Sequence, residues 1–208
     1  MDRYRRLRET ALVLFRKCRE SECLSMGMRS YADLADELKP AGGEGKPDCR
    51  KGCSHCCVVH VTVLVPEAYS LASWAHENCG RDFYEKLKEQ AARLRWVEEE
   101  DRPLMYTPCI FLGEEGECTV HPIRPLLCRG VTSLSEKMCR DAIAMSALGE
   151  PISVVMDLVQ REHYDKAFKS AAEGIEKAGG DARGYELTWA VLKAYEAILS
   201  EKEDNTPA

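Results

Sequence analysis

The sequence predicts a mainly helical domain wrapped around an irregular, cysteine-rich metal-binding centre, with at most a small β element. Three observations carry this. Apolar residues recur at helical spacing near both ends of the 208-residue chain, as in Leu7, Ala11, Leu14, Phe15 and in Leu187, Ala190, Val191, Ala194, Tyr195, Ile198. One run alone, Val58 to Val65, is rich in β-branched residues. Between the helical ends lie two stretches that hold eight of the eleven cysteines and too little apolar surface to stay ordered by burial.

Taken in order, residues 2 to about 21 form an amphipathic helix and Tyr31 to Leu38 a second, short one that Lys39-Pro40 ends. Cys18 continues the first helix's apolar stripe, so it reads as a packed thiol and not as a ligand. Ala41 to Lys46 is a glycine-rich approach to the first cluster. The strand Val58 to Val65 stops at Pro66, and Pro66-Glu67 suits a helix start. Helices follow over Glu67 to about Glu77 and Arg81 to about Glu100, the second striped by Phe83, Leu87, Ala91 and Leu94.

An out-and-back pair of helices would let the 51 residues between Cys57 and Cys109 leave the two clusters adjacent. From Pro103 to Val131 the chain carries Pro103, Pro108, Pro122 and Pro125 and no helical period, so it reads as loop with a hairpin turning at Gly113 to Gly116. Helices return over Ser135 to Leu148, about 151 to 178 and 184 to 202, and 203–208 fray. The division expected is a helical segment 1–48, a cysteine-cluster core 49–140 and a helical segment 141–208 packed on that core, together one domain.

A net charge of −6 argues against nonspecific grip on nucleic acid. Met1 to Glu22 mixes seven Arg or Lys with four Asp or Glu and has no apolar run that could serve as a signal peptide's core or a membrane span. The expected setting is the cytoplasm, with no membrane association, and there thiols stay free to bind metal.

The first cluster is Cys49-Arg50-Lys51-Gly52-Cys53-Ser54-His55-Cys56-Cys57. Cys53-x2-Cys56 has the spacing of a metal turn. Adjacent Cys56 and Cys57, read as extended chain, point to opposite faces, so Cys56 should complete the site begun by Cys53 while Cys57 serves a second ion or packs as an apolar thiol. The second stretch offers Cys109, Cys118, Cys128 and Cys139. Cys109 and Cys118 can meet across the Gly113 to Gly116 turn, and Pro125 stiffens the chain delivering Cys128. Arg124 and Arg129 bracket Cys128, either as surface or carboxylate-pairing cations or as groups that favour a thiolate or bind an anion.

Among the histidines, His121 is a candidate ligand, or a donor behind one, against a structural role in its turn, and His55 is a further candidate. His60 reads as a partly buried strand residue with one satisfied nitrogen, and His76 and His163 have no assigned role. The metal candidates are therefore Cys49, Cys53, Cys56, Cys57, Cys109, Cys118, Cys128 and Cys139, with the two clusters sharing at least one site.

The ordered set C-x3-C-x2-C-C at 49 to 57, Pro108-Cys109-Ile110-Phe111-Leu112, Gly116-x-Cys118-x-Val120-His121 and Arg124-Pro125-x2-Cys128-Arg129 resembles the YkgJ-type cysteine-cluster family, described as a zinc- or iron-chelating domain, over about 49 to 140. The resemblance implies metal binding through these cysteines. Some relatives look like flagellin lysine methylases with iron and sulfur in a similar cluster, but this chain is much shorter and has no obvious Gly-rich nucleotide loop, so that activity does not carry over.

The first reading is a protein that chelates zinc or iron through the two clusters, with a metal ion as partner and a protein partner possible. The alternative is an iron-sulfur protein, with a [4Fe-4S] cluster and a redox or methylase-like activity, since four thiolates suit either and spacing leaves the choice, and any enzymatic role, open. Cys49-x3-Cys53-x2-Cys56 also matches the motif of radical S-adenosylmethionine enzymes, but their barrel needs repeated strands and one strand is found. A thioredoxin-like role for Cys53-Ser54-His55-Cys56 is disfavoured inside a four-cysteine cluster.

Overall fold

A computed structural model describes residues 2–43, 45–146 and 148–204. Its α-helices are α1 (Arg3–Phe15), α2 (Ser21–Glu37), α3 (Val65–Asn78), α4 (Arg81–Leu94), α5 (Leu126–Gly130), α6 (Glu136–Ser146), α7 (Leu158–Lys177) and α8 (Leu187–Asp204). Two-residue strands β1 (Thr62–Val63) and β2 (Tyr185–Glu186) pair antiparallel, Thr62 opposite Glu186 and Val63 opposite Tyr185. The architecture is the mainly helical one expected, with a small β element.

Asp2 starts α1 by accepting the Tyr4 N–H at 3.2 Å. α2 begins at Ser21, well before the expected start at Tyr31. The reason lies in its buried face, where Ser21, Ser25 and Gly27 replace large apolar residues and hide the periodicity. A Cβ on Gly27 would sit 3.1 Å from the Phe15 ring, so small residues here let α1 and α2 approach. The turn between these helices is closed by a Cys18–Cys23 disulfide. Cys18 is buried in the α1 core as expected, but as half of a cystine and not as a free thiol.

The strand expected over Val58 to Val65 is cut to two residues because both its ends are taken by other structures. Val58 closes a 3-10 turn, His55–Val58, and Leu64 caps α3, in which Pro66 occupies the first turn where its missing N–H costs nothing. α4 stops at Leu94, and no helix fills 151–157. There Ser133 bridges Met156, and Asp157 caps α7 by accepting the Gln160 N–H at 3.0 Å. The expected hairpin forms, with Leu112 bridging Cys118 and the Gly113 N–H donating to the Glu117 carbonyl at 2.8 Å. α5 replaces what reads as loop, and 205–208 lie outside the described residues.

Two apolar clusters organise the helices. One joins α1, α2 and α7 through Leu7, Ala11, Phe15, Tyr31, Ala167 and Ala171, and reaches Leu64 and Leu126. The other joins α3, α4 and α8 through Leu71, Leu87, Val191 and Tyr195, and takes in Phe111 and Val120 of the hairpin. α2 packs on α3 and links the clusters. Each fully buried Leu contributes roughly 1.5–3 kcal/mol relative to exposure. α3 and α4 both lie along α8, which is how the chain leaves Cys57 and returns to Cys109.

Glu67, 3% exposed, binds the two halves of the cysteine region together. Its carboxylate accepts the Leu64 N–H at 2.9 Å and the Leu126 N–H at 2.7 Å, tying the start of α3 to the start of α5. Burial pushes its carboxyl up to about 7, against the opposing pull of those two N–H groups and of Arg129.

Candidate metal centre

The first cysteine stretch has almost no core of its own and is shaped by turns. Gly52, at φ +88°, allows the Cys53 N–H to return to the Arg50 carbonyl at 3.0 Å. The Cys57 N–H then donates to the Ser54 carbonyl at 2.8 Å and opens the 3-10 turn. Cys56 and Cys57 are thus on a tight helix and not on extended chain. Their side chains still diverge, by about 120° per residue in such a turn, and Cys56 keeps an exposed edge while Cys57 is half-buried.

The second stretch is laid directly on the first. The Cys109 N–H donates to the Cys57 carbonyl at 2.7 Å. At the hairpin tip, a Cβ on Gly116 would lie 3.0 Å from the Gly52 carbonyl oxygen, so the two turns meet backbone to backbone. Ser133 fastens Cys49, since its N–H donates to Cys49 Sγ at 3.3 Å and its carbonyl accepts the Asp48 N–H at 2.9 Å, and its side chain favours the Cys139 thiolate against burial.

Cys56 lies between two sets of thiols. Its charge acts on Cys53 and Cys139 on one side and on Cys118 and Cys128 on the other. Cys49 acts on Cys53 and Cys139, whereas Cys109 acts on Cys128 and Cys118 on Cys109. Burial pushes the Cys109 thiol up to about 11 and raises Cys128, Cys118, Cys53 and Cys139. Cys56 is raised first by its hydrogen bond with Cys57 and then by burial, since protein crowds its sulfur even though the residue keeps an accessible edge. Without a cation these thiols hold their protons; a bound metal reverses that preference and releases them.

The two arginines beside Cys128 divide their roles. Arg129 is buried and structural, donating to the carbonyls of Arg124 and Pro122 at 2.9 and 2.8 Å and to Asp36 at 2.6 Å. Arg124 favours the thiolates of Cys56, Cys118 and Cys128, although burial outweighs it.

Cys53, His55 and Glu136 form a closer set, with one donor atom from each lying within 4.8 Å of the others. His55 Nε2 is 3.3 Å from Glu136 Oε1, and Arg50 pairs with Glu136 Oε2. Among the described residues no other such group of three is present. Glu136 is absent from the sequence-based candidates. It had a legible signal, since it stands three residues before Cys139 and so shares a face of α6 with it. His121 is exposed and lies outside this set. His60 behaves as expected, with Nε2 3.3 Å from Thr62 Oγ1 and a buried Nδ1 that has no partner.

Thiolates with one imidazole and one carboxylate are a donor set that suits zinc or iron. Residues 48–144 match the family model CxxCxxCC, described as a putative zinc- or iron-chelating domain, which is the family that the cysteine motifs resemble. No curated protein and no solved structure matches the chain. No helix among the described residues is long and apolar enough to cross a membrane.

Proposed function

We propose that this chain binds zinc or iron through Cys49, Cys53, Cys56, Cys57, Cys109, Cys118, Cys128 and Cys139, arranged as two neighbouring centres with Cys56 at their boundary. The observation that carries this is the main-chain bond from the Cys109 N–H to the Cys57 carbonyl at 2.7 Å, which lays the second stretch on the first beside Cys56, a thiol whose charge acts on Cys53 and Cys139 and also on Cys118 and Cys128. Segment 49–140 supplies the metal centre, and the segments 1–48 and 141–208 clamp it. Neither cysteine stretch has an apolar core of its own, so binding free energy there is folding free energy. A reducing compartment such as the cytoplasm suits nine free thiols.

An iron-sulfur protein with redox or methylase-like activity is the second reading. It is favoured by the run of neighbouring thiols in which Cys56 acts on Cys118 and Cys128, Cys109 on Cys128 and Cys118 on Cys109, since these are four cysteines and a [4Fe-4S] cluster takes four thiolates. Protein purified without oxygen separates the two readings. Elemental analysis gives the metal, and a brown, visibly absorbing protein that contains inorganic sulfide means a cluster. Cys109→Ser and Cys128→Ser should both lose metal under either reading. Full metal content in both variants would remove the second stretch from the site.

A further inference from the structure

We infer that Cys53, His55 and Glu136 hold a mononuclear divalent ion, zinc or ferrous iron, beside the thiol group of Cys56, Cys109, Cys118 and Cys128. The inference rests on the metal-binding reading above and gives one of its two centres a different chemistry.

An ordinary ion pair between His55 and Glu136 needs no third group. Here a thiol from the turn before His55 converges on both, with all three donor atoms within 4.8 Å. The carboxylate is held in advance. Arg50 engages Oε2, which leaves Oε1 facing His55, and Asp48 accepts the Glu136 backbone N–H at 2.8 Å to fix the start of α6. Outer partners of this kind orient metal ligands. α6 packs on the 3-10 turn that carries His55, so the two contributors meet through structure formed by other residues.

The donor set decides the kind of ligand. Imidazole and carboxylate are harder than thiolate and suit a single borderline ion, whereas a [4Fe-4S] cluster takes four cysteines. Three protein donors leave a fourth coordination position, the arrangement of zinc sites that exchange water or substrate. The His55 and Glu136 side chains are 26% and 27% exposed, so solvent reaches the site. Cys139 lies on α6 with Glu136, and the charges of both Cys49 and Glu136 act on it.

The test uses the full chain, purified without oxygen and loaded with Zn2+, with affinity read by chelator competition and ligands by zinc X-ray absorption. The wild type should show nitrogen or oxygen at about 2.0–2.1 Å as well as sulfur at about 2.3 Å. His55→Ala and Glu136→Gln should each weaken one zinc at least about tenfold, with helical content unchanged. His55→Cys should restore binding with a shell richer in sulfur, which a merely structural histidine would not do. An all-sulfur shell in the wild type, or unchanged affinity in both His55→Ala and Glu136→Gln, overturns the inference while leaving the thiol reading intact. Failure of the wild type to take up any metal overturns both.

Discussion

The backbone N–H of Cys109 donates to the carbonyl of Cys57 at 2.7 Å, so two cysteines 52 positions apart are joined by main chain at the point where their side chains would serve metal. Side-chain replacement at either residue leaves this bond in place. Helical content measured beside metal content in a Cys→Ser variant here therefore separates a lost ligand from a lost fold.

Cys56→Ser and Cys57→Ser should differ for that reason. Cys56 stands where both thiol groups feel it, whereas Cys57 contributes its carbonyl to Cys109 and its thiol to Cys56. Metal per chain in oxygen-free protein should fall further in Cys56→Ser than in Cys57→Ser. Equal and complete loss in the two would contradict separate roles, and full retention in Cys57→Ser would leave its thiol a packing role.

Glu67 makes a pH prediction whose sign is the reverse of the usual carboxylate. Its folded value of about 7 lies above the unfolded 4.5, so the folded state holds the proton longer. Stability from this group is full below about pH 4.5, declines as pH rises to about 7, and is lower by on the order of 3 kcal/mol beyond that. Urea unfolding of the metal-free protein across this range should show the decline, and Glu67→Gln should flatten it. A wild type no more pH-dependent than Glu67→Gln would show that the carboxyl ionises normally.

Gly174 should not tolerate alanine although it lies inside α7. A Cβ there would stand 2.4 Å from the Ala11 Cβ and 2.7 Å from the Arg8 carbonyl oxygen. The gain in helix propensity of about 1 kcal/mol is set against overpacking of typically about 1–3 kcal/mol or more, and backbone contact this close puts the cost at the upper end. Thermal unfolding of Gly174→Ala should shift down; an unchanged or raised midpoint would mean α1 and α7 can separate freely.

The Cys18–Cys23 bridge predicts a thiol count. Denatured, metal-free protein kept from reductant should titrate nine thiols, and eleven after reduction. Loss of the bridge in Cys18→Ser/Cys23→Ser should lower stability by about 2 kcal/mol for so short a loop and leave metal content alone. A titre of eleven without reductant would mean the pair is reduced in the purified protein.

How much of this is legible in the sequence depends on whether a feature is local. The stripes of α1, α4 and α8 and the turn at Gly113 to Gly116 are written in neighbouring residues and appear where expected. The first half of α2 is hidden because Ser21, Ser25 and Gly27 are buried for closeness and not for hydrophobicity. The run Val58 to Val65 promises more strand than forms, because its ends are claimed by the Cys57 turn and by the cap on α3, where Glu67 also holds Leu126. Within the site, the cysteines announce themselves by spacing. Glu136 does not, since one acidic residue among many gains meaning only when α6 sets it against His55.

The pairing of α1 with α7 bears on how the protein is made. Synthesis runs from the N-terminus, so α1 leaves the ribosome well over a hundred residues before its chief partner exists. Cys49 to Cys57 likewise emerges with Cys109 to Cys139 still unmade. Through that interval the nascent chain offers four closely spaced thiols with no hairpin to cover them. Metal captured then would meet the first stretch alone, and the second closes over whatever is already there.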